Sequence, residues 1–194
     1  MQSLSQLTGK HLQWQTDMGP LIQRKATHGY TLHDGPETVA TGQVTWERLK
    51  NFDFVMQSGE GIYQVHIDLR DPGKRPAVAW RLGDPASAAG FQLWSEGSFT
   101  VSGWITTASG RQLVMQPTSD PGIEYVVFPP DGAVLFSVAA AVRIAIGGNP
   151  GHMFIAPEES ADSELPALVA LSFAVACEQF LRLHWDAPAA LPRL

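Results

Sequence analysis

The sequence predicts a mainly β domain whose strands curl or close around one buried helix near the C-terminus. Three observations carry this. Residues Leu165–Cys177 contain no charge, and Leu165, Leu168, Val169, Leu171, Phe173, Val175, Phe180 and Leu181 fall on every side of a helical wheel. A helix that is apolar all round must be enclosed on all sides. Upstream, apolar and polar residues alternate with period two, and turn signals punctuate the runs as far as Gly151; this is the pattern of half-buried antiparallel strands. Only β-type sequence is available to enclose the helix, and the apolar stretch is shorter than the ~20 residues a bilayer span requires.

The strands are read near residues 11–17, 20–26, 29–33, 38–46, 53–58, 61–70, 77–82, 91–95, 99–106, 111–116, 123–128, 133–146 and 152–155. In the clearest of them Tyr63, Val65, Ile67 and Leu69 take one face, and Gln64, His66, Asp68 and Arg70 the other. Phe99, Val101 and Ile105 likewise oppose Thr100, Ser102, Trp104 and Thr106. Turns are placed at Asp34-Gly35-Pro36, Ser58–Gly61, Asp71-Pro72-Gly73, Gly83-Asp84-Pro85, Ala108-Ser109-Gly110, Asp120-Pro121-Gly122 and Pro129–Gly132, where glycine and proline supply the dihedrals a reversal needs. Ala133–Ile146 reads as one strand with a large face (Phe136, Val138, Val142, Ile144) and a small one (Ser137, Ala139, Ala141), the small one offering close approach to the helix. The helix spans Glu164–Trp185. Asp162 or Ser163 is its N-cap and Pro166 falls in its first turn. Residues 1–186 form one domain, and 187–194, with Pro188 and Pro192, a loose tail.

Composition narrows the partners. The chain has 194 residues, 44% of them hydrophobic and 16% charged, so it can bury a full core. Its net charge of −6 disfavours nucleic acid and an anionic membrane as generic electrostatic partners, since both attract basic proteins. The single cysteine, Cys177, excludes an intramolecular disulfide and a cysteine-based zinc cluster. Met1–Gln15 is polar and lacks the apolar core of a secretory signal, so the expectation is a cytoplasmic protein.

About a dozen short strands followed by a nearly C-terminal buried helix resemble the tubby C-terminal-like superfamily, of the phospholipid scramblase and LURP-one-related type. The resemblance is carried by Met153-Phe154-Ile155-Ala156-Pro157, the acidic stretch to Asp162, and the helix Leu165–Leu181, with Asp162 and Glu178 at the two acidic positions. It covers residues 152–182; the remainder agrees in strand number and length. It implies a closed antiparallel barrel of about 12 strands around the helix, whose core residues are Leu165, Leu168, Val169, Phe173 and Phe180. It also implies a non-enzymatic binding or scaffold module that meets anionic lipid or a protein partner, at the periphery of a membrane where lipid is the partner. Arg70, Lys74 and Arg75 are the candidate lipid contacts, although the dense basic clusters of tubby-type lipid sites, the palmitoylatable cysteines of scramblases and a transmembrane extension after the helix are not present.

Other residues carry side chains suited to chemistry. His66 and Asp68 share a strand face and could hold a metal or act as a base and its orienter, against a solvated surface. His28, His33 and Asp34 are further metal candidates, although the turn accounts for Asp34. Glu158, Glu159 and Asp162 are weak calcium candidates that lack EF-hand spacing. Cys177, inside the apolar helix, reads as an inert thiol. Glu178 needs a partner such as Arg143 or Arg182. Gly147–Gly151 lacks the lysine and hydroxyl of a phosphate loop and reads as a tight connection. The six tryptophans could line a pocket, with Trp104 on the outer face of its strand. No catalytic residue, metal site or cofactor is assigned. Two alternatives to the binding module stand: a small-molecule carrier or enzyme with a pocket in the barrel mouth, and a homo-oligomeric structural protein.

Overall fold

The computed structural model describes residues 3–16, 25–47, 50–70, 76–96, 101–118, 124–139, 142–144, 147–149, 151–157 and 162–186; side chains at 5, 25, 26, 94–96, 101, 142–144, 147–149 and 180–186 lie outside that description. A 3-10 turn (Leu4–Leu7) precedes β1 (His11–Thr16), β2 (Lys25–Asp34), β3 (Glu37–Glu47), β4 (Asn51–Ser58) and β5 (Gly61–Asp68). Then come β6 (Ala77–Arg81), β7 (Asp84–Glu96), β8 (Val101–Thr106), β9 (Gln112–Pro117), β10 (Glu124–Phe128) and β11 (Phe136–Ala139). A hairpin of β12 (Val142–Ile144) and β13 (Gly147–Asn149), then β14 (Gly151–Ile155), lead to the helix α1 (Leu165–Asp186).

Twelve strands form a closed antiparallel barrel. Neighbours in sequence pair from β1 through β11, β11 pairs with β14, and β14 returns to β1. Closure leaves no free edge in this sheet, which removes the usual route to edge-to-edge association. Tight turns set the register. At Gly35 (φ 58°) and Gly83 (φ 86°) the backbone is left-handed, the region glycine adopts without a Cβ penalty, and Asp34 pairs with Glu37 and Arg81 with Asp84 across them.

The helix lies within the barrel. Every residue of Leu165–Gln179 is buried, and α1 packs against β4–β7 on one arc of the closed order and β10–β11 on the opposite arc. Leu165, Leu168, Val169 and Phe173 are fully buried, as expected; Phe180 lies outside the described side chains. Across Tyr63, Val65 and Ile67 the inward face is buried while Gln64, His66 and Asp68 remain half-exposed.

Four local expectations are corrected. Residues 20–26 and 29–33 were expected as two strands, but Lys25–Asp34 is continuous, because the eleven-residue β3 pairs along it and carries Gly29 opposite Gln43. β7 begins at Asp84 rather than 91: its early residues, Ala86 to Ala89, have weak intrinsic strand preference and are held by pairing with β6. Ala133–Ile146 is not one strand. Among its described residues only Phe136–Ala139 joins the barrel, with its large side (Phe136, Val138) fully buried and Ser137, from its small side, half-buried. Gly147-Gly148-Asn149, expected as a tight connection, is a strand of the outlying hairpin paired with Val142–Ile144.

Candidate functional site

The interior is filled first by rings. Trp14 of β1 stacks on Phe173 of α1 at 3.9 Å between centroids and 23° between planes. Tyr30 and Phe54 each approach Phe173 to 5.2 Å. Such contacts exceed what area burial alone supplies by roughly 1 kcal/mol each. Cys177, one turn beyond Phe173, is buried and its thiol is pushed up by desolvation, only partly offset by a hydrogen bond with the Tyr30 hydroxyl. A thiol so placed is a poor nucleophile. Glu178 is 4% exposed and accepts a hydrogen bond from Gln179 Nε2 at 2.7 Å; the side chains of its expected partners, Arg143 and Arg182, lie outside the described residues. Trp14 Nε1 and Ser172 Oγ are buried and find no hydrogen-bond partner among the described residues.

The mouth at which α1 begins is closed by polar contacts. Asp162 Oδ1 accepts from the Glu164 amide at 2.7 Å while its Oδ2 pairs with Arg111 at 2.9 Å. The helix begins one residue later than expected. Glu164 holds the boundary position, its carbonyl accepting from Leu168 N, and its carboxylate accepts from the Ser109 amide (2.7 Å) and hydroxyl (2.9 Å). Burial pushes the Glu164 carboxyl up. Hydrogen bonds from Ser109 and Thr107 and the nearby Arg111 outweigh that, so it sits below the ordinary carboxylate value. Leu4 and Leu7, fully buried, pack over the same mouth against α1. Ser3 and Ser58 donate to the two oxygens of Glu60 at 2.6 and 2.8 Å, and Arg81 donates to its carbonyl at 2.7 Å.

Of the expected lipid contacts, the described one, Arg70, lies at the opposite mouth. Arg70 is exposed, and its guanidinium is held by Asp68 through bonds of 2.5–3.2 Å, which keeps the Asp68 carboxyl well below the usual range. Lys74 and Arg75 lie outside the described residues, as do the calcium candidates Glu158 and Glu159. Asp162, the remaining calcium candidate, is engaged by Arg111 and the helix start. His66 does not join Asp68. Its Nδ1 meets Asp53 at 2.6 Å, directly across the β4–β5 pairing, a partner that spacing along one strand cannot reveal. His33 bonds to Thr31 and Thr38, Asp34 pairs with Lys10, and His28 turns inward; the three metal candidates are thus dispersed. Among the described residues, no group of three or more acidic, histidine or cysteine side chains could hold a metal ion.

The outer surface divides into two arcs. On β1–β3 the outward positions are His11, Gln13 and Gln15, then Thr27, Thr31 and His33, then Thr41, Gln43 and Thr45. On β6–β10, between the Asp53–His66 pair and a second pair of Glu124 with His152, they include Val78, Trp80, Trp104, Val114, Val126 and Phe128 together with Gln92, Thr106, Gln112 and Gln116, an uncharged mixture. Val78 is 40% exposed. Val114 points outward yet is only 5% exposed, because Trp104 and Phe128 flank it in register on the two neighbouring strands. Trp14 and Trp46 are core residues, whereas Trp80 and Trp104 are half-buried on the outer face. Alternation placed Trp104 there; the uncharged arc as a whole appears only when the strands are laid side by side.

No family model, curated protein or solved structure matches the chain.

Proposed function

We propose that this chain is a non-enzymatic binding or scaffold module of the tubby-like type, acting in the cytoplasm and engaging its partner with the outside of the barrel. The observation that carries this reading is the filled interior: α1 is buried along Leu165–Gln179 and its Phe173 is locked among Trp14, Tyr30 and Phe54. A carrier or an enzyme with a pocket in the barrel mouth needs that volume empty. A protein partner fits the uncharged arc better than anionic lipid fits Arg70, whose charge Asp68 already offsets. No helix among the described residues is long and apolar enough to cross a membrane.

The carrier reading has one observation on its side, the unpartnered Trp14 Nε1 and Ser172 Oγ, which an enclosed polar ligand could satisfy. Native mass spectrometry of the purified protein separates the two. The module reading expects the bare chain mass; a retained small molecule at one equivalent overturns it. Co-sedimentation with liposomes of graded anionic content, with and without calcium, then assigns the partner class. Binding that rises with anionic lipid and disappears in the Arg70→Ala, Lys74→Ala, Arg75→Ala triple variant assigns lipid, and no binding assigns protein.

A further inference from the structure

Residues 3–10 precede the first strand and lie outside every strand pairing, yet two of them are as buried as the core. Leu4 and Leu7 are 0% exposed, while Gln6, Gly9 and Lys10 face solvent. Three residues apart on one 3-10 turn, the two leucines fall on the same side. That turn packs against α1 at the mouth where the helix begins.

The segment is fastened near its two ends. Ser3 donates to the Glu60 carboxylate, in the turn between β4 and β5, at 2.6 Å. At the other end the Gly9 amide donates to the Ile155 carbonyl of β14 at 2.7 Å, and Lys10 pairs with Asp34. It therefore runs across the mouth from β14 to β4, which have β1, β2 and β3 between them in the closed order. The barrel closes without it, since β1 begins at His11 and all twelve strands pair through later residues.

Holding such a segment down costs the conformational freedom of each residue ordered, in return for two buried leucines and a few polar bonds. Elements balanced in this way open locally, well before a closed sheet does. Opened, the segment uncovers an apolar bed at the start of α1, sized for two leucines one turn apart. A polar anchor stands at its edge. Glu60 is itself held by Ser58, which donates to its second oxygen at 2.8 Å, and by Arg81, which donates to its carbonyl at 2.7 Å. The acceptor thus stays in position when Ser3 leaves.

We infer that residues 3–10 are a displaceable strap, and that the mouth beneath is a docking seat for a segment of the same chemistry: a hydroxyl donor directly before two leucines three residues apart. The chain's own Ser3, Leu4 and Leu7 occupy the seat at rest, an autoinhibitory contact, and a partner of that pattern competes for it as a short helical turn in a groove. The inference concerns the mouth and does not depend on the binding-module reading, which places the partner on the outer strands.

A fluorescent peptide of residues 1–10 tests the seat on the full-length chain. It should bind the Leu4→Ser, Leu7→Ser double variant, whose own strap no longer holds the seat. It should bind the wild type at least ~10-fold more weakly, because a tethered segment competes at an effective concentration near millimolar. The same peptide with both leucines changed to serine should bind neither. Thiol labelling tests the strap separately, and decides the matter if circular dichroism shows that the double variant does not fold. Leu7→Cys should react with a maleimide at least ~100-fold faster than Ile105→Cys in the barrel wall, both sites being 0% exposed in the wild type. The native Cys177, 2% exposed, supplies the silent background. No binding to a folded double variant overturns the inference, as does equal binding to both chains. A cysteine at position 7 as protected as one at 105 overturns it too, since the strap would then open only with the barrel.

Discussion

Strands β1–β3 and β6–β10 enclose the same helix, yet they present different chemistry to their surroundings. Their linings are alike: Leu12, Trp14, Tyr30, Leu32 and Val44 on one arc, and Ala79, Phe91, Ile105, Leu113 and Val127 on the other, all buried. Their outer sides diverge into threonine, glutamine and histidine on the first, and into valine, tryptophan and phenylalanine interspersed with uncharged glutamine and threonine on the second. The helix dictates the lining, because an uncharged cylinder needs apolar contact all round. Nothing in folding dictates the outside. Isolated exposed apolar residues such as Val78 are ordinary, and the outside is free to vary so long as the lining is kept.

The largest expected effect tests what the arcs share. Phe173→Ala removes the ring on which Trp14 stacks and should cost about 3–5 kcal/mol in urea unfolding, together with the near-ultraviolet signal of the packed indole. A loss below ~1 kcal/mol would mean that the interior can collapse around the gap and that the filled-barrel premise is unsound.

A smaller effect separates the inner and outer sides of adjoining strands. At Gly103 on β8 an added Cβ would lie 2.3 Å from the Phe91 ring and 2.5 Å from the Gln92 carbonyl oxygen, so Gly103→Ala should cost about 1–3 kcal/mol. Gly90→Ala, into open space, should stay within about 0.5 kcal/mol in the same denaturation assay. Equal costs would contradict the assignment of Gly90 to the outer face.

Next comes the mouth that both arcs share. Glu164→Gln should lower stability at neutral pH by about 1 kcal/mol, through loss of its charge-assisted bonds to Ser109. The Glu164 carboxyl is lowered from 4.5 in the folded protein, so its contribution is fully present above that value and is lost as the pH falls through the lower folded one. The melting temperatures of the wild type and the variant should therefore converge below pH 4.5. A constant gap would assign the effect to shape rather than charge.

The smallest effect lies at the boundary between the arcs. Asp53→Asn breaks a pair whose side chains are 40–45% exposed, and thermal melts should change by no more than about 0.5 kcal/mol.

Legibility followed locality. Period-two alternation exposed β5 because Tyr63, Val65 and Ile67 had to point inward together, and the charge-free run from Leu165 to Cys177 exposed the helix. The start of β7 was hidden because alanines at 86, 88 and 89 carry no strand signature of their own. Ala133–Ile146 misled for the opposite reason: its alternation persists although only four of its described residues join the barrel. Candidate sites fared according to the same rule. His66 was visible as a polar surface residue, but Asp53 became its partner only through the register of β4 against β5. The bonds from Ser109 to Glu164 join residues 55 apart in sequence, where no pattern connects them.

By itself, the sequence determined that the chain is a strand-rich domain with an enclosed C-terminal helix, since uncharged residues on every side of a helical wheel leave no face for water. Tertiary structure decided that twelve strands close on themselves, which tryptophans line the helix and which face outward. Those facts depend on register. A pairing between strands is fixed by the sum of many cross-strand contacts, and no single segment carries that information.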